Sequence, residues 1–148
     1  MNIFIATDHR GFALKEKIKQ WLAEWGYQCQ DFGADTLDEN DDYPDFISKA
    51  AEAVSKDPEN SKGIVLGSSG QGEAIVANKY KGVRAAVYYG GSEDIIKLSR
   101  EHNDANMLAL GAAFLDEENA KKVVKLWLET PFSGDERHVR RINKIEAL

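Results

Sequence analysis

Four short segments of this chain carry residues whose types and spacing could do chemistry. Gly67-Ser68-Ser69-Gly70-Gln71-Gly72-Glu73 packs three glycines, two hydroxyls and a carboxylate into seven residues. Glycines let a backbone approach a ligand closely, and N–H groups at a helix start offer a place for an anion. The spacing G-x-x-G-x-G is not the dinucleotide fingerprint G-x-G-x-x-G. Nor does a Lys-Ser/Thr pair come after it, as a P-loop requires. A tight strand-to-helix turn is the other reading of the glycines, and an acid complementing a helix dipole is the other reading of Glu73. Thr7-Asp8-His9-Arg10-Gly11 gathers ionisable side chains, with Asp8 alternatively a cap. His102-Asn103-Asp104 places an imidazole in a turn. Arg137 and Arg141 are i, i+4 neighbours, so both guanidinium groups can address one phosphate or else form a solvated basic face. The three histidines show no metal-ligand spacing and Cys29 stands alone, so no metal is expected.

The elements that must hold these segments are legible in the apolar periodicity. Compact β-type runs occur at Asn2–Ala6, Tyr27–Phe32, Gly63–Leu66, Val83–Tyr88 and Met107–Leu110. Helical faces occur between them. Phe12–Trp25 is stopped by Gly26. A short helix with Ile47, Ala51 and Val54 comes after the acidic stretch Asp35–Asp45. A third helix leaves the glycine-rich segment and runs through Lys79, and a fourth is capped by Ser92, with Glu93 and Asp94 in its first turn. Asp116 opens a helix bearing Ala120, Val123, Val124, Trp127 and Leu128. Pro131 ends it, and a basic helix runs from about Gly134. Strands separated by helices predict right-handed crossovers and a three-layer αβα sandwich: a five-stranded, parallel, doubly wound (Rossmann-like) sheet. Ligands of such folds sit beyond the carboxyl ends of the strands. That edge should carry Thr7–Gly11, Gly67–Glu73 and Tyr88–Ser92.

A length of 148 residues predicts one domain, spanning 1–148. The balance of 19 Lys+Arg against 25 Asp+Glu gives a net charge of −6, which argues against nucleic acid as a partner. One cysteine excludes a disulfide framework and fits a reducing compartment. The apolar run Ile3–Ala6 is too short for a signal peptide or a membrane span. The expectation is a cytoplasmic protein without a membrane partner.

Taken in order along the chain, several motifs resemble one family. They are Asp8-His9-x-Gly11, Asp42-Tyr43-Pro44, the glycine-rich segment continuing into Ala77-Asn78-Lys79, and Gly82-x-Arg84-Ala85. Ser99-Arg100-x-His102-Asn103-x-x-Asn106 and Arg137-His138-x-x-Arg141 complete the set. Together they resemble the sugar-phosphate isomerases that include type B ribose-5-phosphate isomerase and the galactose-6-phosphate isomerase subunits. One branch of that family has a cysteine base where this chain has Gly67; the other has a glutamate at the position of Glu73, as here.

The resemblance implies an aldose–ketose isomerase acting on ribose 5-phosphate and ribulose 5-phosphate without a cofactor. Glu73 would be the base moving a proton between C1 and C2, and Ser69 a helper at the substrate oxygens. Backbone N–H groups of Ser68, Ser69, Gly70, Gln71 and Gly72 would hold the enediolate. His102 would open the sugar ring, Asn103, Asp8 and His9 would bind the substrate, and Arg137 and Arg141 would hold the phosphate. Isomerisation removes a weakly acidic proton α to a carbonyl, so it needs a positioned base and stabilisation of the developing oxyanion. The chain departs from the family at Ala113, where an arginine for the phosphate is usual, so a hexose 6-phosphate or other modified sugar is the alternative substrate. A non-catalytic flavodoxin-like module binding an anion or nucleotide is the alternative class. Glu73 argues against it, because a carboxylate in an anion pocket repels its ligand.

In a parallel sheet Glu73 comes after a strand and His102 comes before one, which places them at opposite edges, ~17 Å apart at about 3.3 Å per residue. If both touch one sugar, the sites must be shared between two subunits. A homodimer, with a tetramer as the alternative, is expected.

Overall fold

The computed structural model describes residues 1–148. Its five strands are β1 (Asn2–Thr7), β2 (Gln28–Asp31), β3 (Ser61–Gly67), β4 (Ala85–Tyr88) and β5 (Met107–Gly111). They form one parallel sheet in the order β2-β1-β3-β5-β4. The helices are α1 (Phe12–Glu24), α2 (Pro44–Lys56), α3 (Gln71–Ala77), α4 (Asp94–Glu101), α5 (Glu117–Glu129) and α6 (Glu136–Glu146), and 3₁₀ turns occupy His9–Gly11 and Ala112–Phe114. The three-layer parallel architecture expected from the periodicity is the one observed. Because β5 inserts between β3 and β4, Gly67 pairs directly with Gly111.

Alternation along each strand divides the core in two. Ile3, Ile5, Ile64, Leu66, Leu108 and Leu110 face one side and pack with Ile18 and Leu22 of α1, Ile96 of α4, and Val123, Val124 and Trp127 of α5. Ala6, Val65, Met107 and Ala109 face the other side, against Ile47, Ala50, Ala51 and Val54 of α2 and Ala74 and Ala77 of α3. Burying each large aliphatic side chain contributes roughly 1.5–3 kcal/mol. Small residues dominate the second face, so α2 and α3 lie close to the sheet and to each other.

Boundaries differ from the periodic reading where side chains intervene. The third helix ends at Ala77 rather than Lys79, because the Asn78 amide bonds to β4 instead. Its Oδ1 accepts from Ala85 N–H at 2.8 Å and its Nδ2 donates to Ala85 O at 3.1 Å. β4 begins at Ala85 rather than Val83, since the Arg84 N–H donates to Asn106 Oδ1 at 2.8 Å. The cap position of α4 belongs to Glu93, although Ser92 Oγ accepts from Asp94 N–H at 3.2 Å. β3 starts earlier than expected, at Ser61, and is buried along its length. The last helix starts at Glu136, two residues after Gly134.

α6 crosses the amino end of the sheet. Arg84 Nη1 donates to Glu146 Oε1 at 2.6 Å, and Ser133 N–H donates to Glu101 O at 3.2 Å.

Candidate active site in two halves

The carboxyl end of the sheet is built around glycines that leave no room for side chains. A Cβ at Gly11 would strike Thr7 and Leu66. One at Gly111 would lie 2.7 Å from Ser69 O. Gly70, at φ +79°, starts α3 from the left-handed region and lies against the backbone of Leu110 and Gly111. Gly72 is covered by the Tyr43 ring. At Gly67 a Cβ would occupy the space of the Glu73 carboxylate itself.

Glu73 is only 4% exposed. Burial raises its pKa above the ordinary glutamate value; its own backbone N–H opposes the rise, and the nearby charge of Asp8 adds to it. A carboxylate shifted this way is a better-matched proton acceptor near neutral pH. Ser69 Oγ lies within 3.4 Å of Gln71 N–H, and Ser68 O accepts from Ala113 N–H at 3.0 Å. Ser68, Ser69, Gly70, Gln71, Gly72 and Glu73 therefore form one wall from β3 into α3.

Asp8 and His9 stand beside this wall. Asp8 is buried and caps the 3₁₀ turn, its Oδ1 accepting from Arg10 N–H at 2.9 Å. His9 Nδ1 lies 2.6 Å from Asp41 Oδ1, which also accepts the His9 backbone N–H at 3.1 Å. Asp8, His9 and Asp41 each offer a ligand atom within 4.8 Å of the others. Sequence spacing could not show this convergence, because Asp41 belongs to a separate loop. The His9–Asp41 hydrogen bond occupies the imidazole Nδ1.

His102, Asn103, Arg137 and Arg141 lie at the other end. His102 caps the C-terminus of α4, and two arginines shape the turn beyond it. Arg84 Nε donates to Asn103 O at 3.1 Å, and its Nη2 donates to Asp104 O at 3.0 Å. Arg100 Nη1 donates to Asp104 Oδ1 at 2.8 Å and to Ala105 O at 2.7 Å. The His102 ring stacks on the ring of His138 from α6, with centroids 4.1 Å apart and planes at 18°. His138 is buried, and its Nε2 has no partner. Burial and the neighbouring His102 and Arg137 push its pKa below the usual histidine range. Arg137 and Arg141 are exposed, whereas Arg84 and Arg100 are consumed by ion pairs with Asp104 and Glu146.

Within one chain the fold thus brings Glu73, Ser68, Ser69, Gly70, Gln71, Gly72, Asp8 and His9 together. It leaves His102, Asn103, Arg137 and Arg141 at the opposite edge. Sequence alone assigns no role to Asp41, Tyr43 or His138. Tyr43 and His138 stand in two of the family-like motifs, but only the fold shows one covering Gly72 and the other stacked on His102.

The model of the ribose/galactose isomerase family matches residues 3–145. Ribose-5-phosphate isomerase B of Mycolicibacterium paratuberculosis is 41% identical over 143 residues, covering 97% of this chain and 88% of that protein. The probable ribose-5-phosphate isomerase B of Mycoplasma genitalium is 41% identical over 144 residues, covering 97% and 93%. Among solved structures, ribose-5-phosphate isomerase B from Mycoplasma genitalium with bound ribulose-5-phosphate superposes with a TM-score of 0.94 at 40% identity. It covers 99% of this chain and 94% of that one. The Clostridium thermocellum enzyme gives 0.91 at 44% identity, covering 99% and 96%.

Proposed function

The chain belongs to the ribose/galactose isomerase family, and from that premise we propose that it interconverts ribose 5-phosphate and ribulose 5-phosphate through an enediolate with Glu73 as the base. One observation carries the choice of base: a buried carboxylate with a raised pKa stands over Gly67, against the glycine-rich turn. Glu73 takes the C2 proton of the open-chain aldose, the electron pair moves into an enediolate, a proton passes from O2 to O1, and the same carboxylate delivers a proton to C1. Backbone N–H groups from Ser68 to Gly72 face the developing oxyanion, with Ser69 as helper. Asp8 and His9 hold sugar hydroxyls.

His102 opens the ring, Asn103 contacts the sugar, and Arg137 and Arg141 hold the phosphate. These four come from a second copy of the chain, so the working unit is a homodimer with two shared sites. The steps use protein groups alone. The unpaired thiol of Cys29 fits a cytoplasmic setting.

A second substrate has one observation in its favour. Ala113 is exposed on its 3₁₀ turn, with its N–H bonded to Ser68 O, and offers no cation beside the glycine wall. A hexose 6-phosphate is therefore the competing substrate. Incubating the protein with a panel of pentose and hexose phosphates in deuterated water, and reading both the ketose formed and deuterium at C2 of the recovered aldose, decides between them. Fastest conversion of ribose 5-phosphate supports the first reading. Faster conversion of a hexose phosphate replaces it, and neither conversion nor exchange with any sugar phosphate rejects isomerase chemistry.

A further inference from the structure

Asp41 is 8% exposed at its side chain and points at a single group. Its Oδ1 receives both the backbone N–H and the Nδ1 of His9, while its Oδ2 is buried and bonded to nothing. Every side-chain hydrogen bond of this carboxylate goes to His9. From this pairing we infer that Asp41 is a positioning residue for the proposed sugar-binding His9: it fixes the imidazole with Nδ1 protonated and Nε2 turned to the substrate. The inference rests on the proposed contact between His9 and the sugar.

The chemistry of the two groups dictates the assignment. A carboxylate oxygen only accepts, so at 2.6 Å the Nδ1 must carry the proton. Nε2 is then the ring atom left for a substrate oxygen. It accepts from a hydroxyl when the ring is neutral, and it donates to an anionic oxygen when the ring is charged. The second bond, from the His9 N–H, ties the same oxygen to the backbone, so the ring is oriented from both of its ends. His9 opens a 3₁₀ turn whose other end, Gly11, is jammed against Thr7 and Leu66. The imidazole therefore sits on a rigid base. Asp41 itself belongs to the loop between β2 and α2, and its hydrogen bonds to His9 tie this loop to the end of β1.

The test is a double-mutant cycle read by kinetics and by nitrogen NMR. His9→Ala, Asp41→Ala and the double variant are assayed for kcat and KM. In parallel, the His9 ring nitrogens of wild type, Asp41→Ala and Asp41→Asn are observed in the substrate-free protein. Asp41→Ala should lower kcat/KM about tenfold, chiefly through KM, and should add nothing in the His9→Ala background. The wild-type ring should show a proton on Nδ1. It should shift toward Nε2–H in Asp41→Ala, while the isosteric Asp41→Asn, which keeps an acceptor, should retain the wild-type pattern. Additive losses in the cycle overturn the inference, as does a wild-type ring protonated on Nε2 alone. An unimpaired His9→Ala would instead remove His9 from the sugar site, whatever the NMR shows. Should Asp41→Ala fail to fold, Asp41→Asn with its NMR signature and kinetics carries the test.

Discussion

Burial makes the Glu73 carboxylate easier to protonate than an exposed glutamate, so an isomerase using it as base should lose activity on acidification at a higher pH than one using an exposed glutamate. Since the charge of Asp8 contributes to that rise, Asp8→Asn should move the acid limb of the kcat profile to lower pH; a limb left in place would separate the two groups. Glu73→Gln should cut turnover by ~10²–10⁴ with binding retained. Its effect on stability runs the other way. A folded pKa above the unfolded value gives stability below the unfolded pKa and removes it as pH rises through the folded one. At neutral pH the ionised Glu73 therefore costs stability, and the Gln variant should melt higher. A Gln variant as active as wild type would assign the base elsewhere. At this scale the sequence showed the segments but not their pairings. Glu73 and the glycines adjoin in the chain and could be read as one unit, whereas the loop that sets Asp41 on His9, and α6, which sets His138 on His102, are tertiary events with no local signature.

α6 carries the proposed phosphate contacts on an exposed face and is held at its far end by the Arg84–Glu146 pair. An interaction made equally in ground and transition states changes KM rather than kcat. Losing Arg137 or Arg141 singly should therefore raise KM more than it lowers kcat. Adding the third cation by Ala113→Arg should tighten phosphosugar binding; unchanged or weaker binding would mark the Ala113 turn as shaped for another substrate. Elements of this kind were legible because the central strands are continuous apolar runs and the helices carry 3.6-fold apolar periods. Their ends were not, because Asn78, Asn106 and Arg84 fix them through hydrogen bonds to residues distant in sequence.

In the whole molecule, a parallel sheet gathers the loops leaving its strands at one edge and the loops entering them at the other. Glu73 lies past the end of β3, while His102 lies before the start of β5, and Gly67 pairing with Gly111 shows that these strands end level, so the start of β5 stands beside the amino half of β3. No loop of the chain folds one end over the other. The proposed two-fold dimer accounts for this, because each site then takes Glu73 from one copy and His102 from its partner. Mixing two inactive variants, Glu73→Ala and His102→Ala, should restore activity, since each mixed dimer regains one intact site. Mixtures as dead as their parents would place the site within one chain.

The Glu73 carboxylate fills the very volume that a side chain on residue 67 would claim. One point in space is thus reachable from two backbone positions, but only from one at a time. If Glu73 is the base, as proposed, a change of base from residue 73 to residue 67 has no free first step: adding a side chain at residue 67 first displaces the carboxylate, and removing Glu73 first leaves no base. Gly67→Ala alone should push the flexible end of the Glu73 side chain aside, lowering turnover while costing less stability than the ~1–3 kcal/mol of a rigidly overpacked core, and Gly67→Ala with Glu73→Ala should regain that stability while staying inactive. Turnover and thermal melts of the two variants measure that competition, and a Gly67→Ala variant with wild-type turnover would mean that the two positions do not compete.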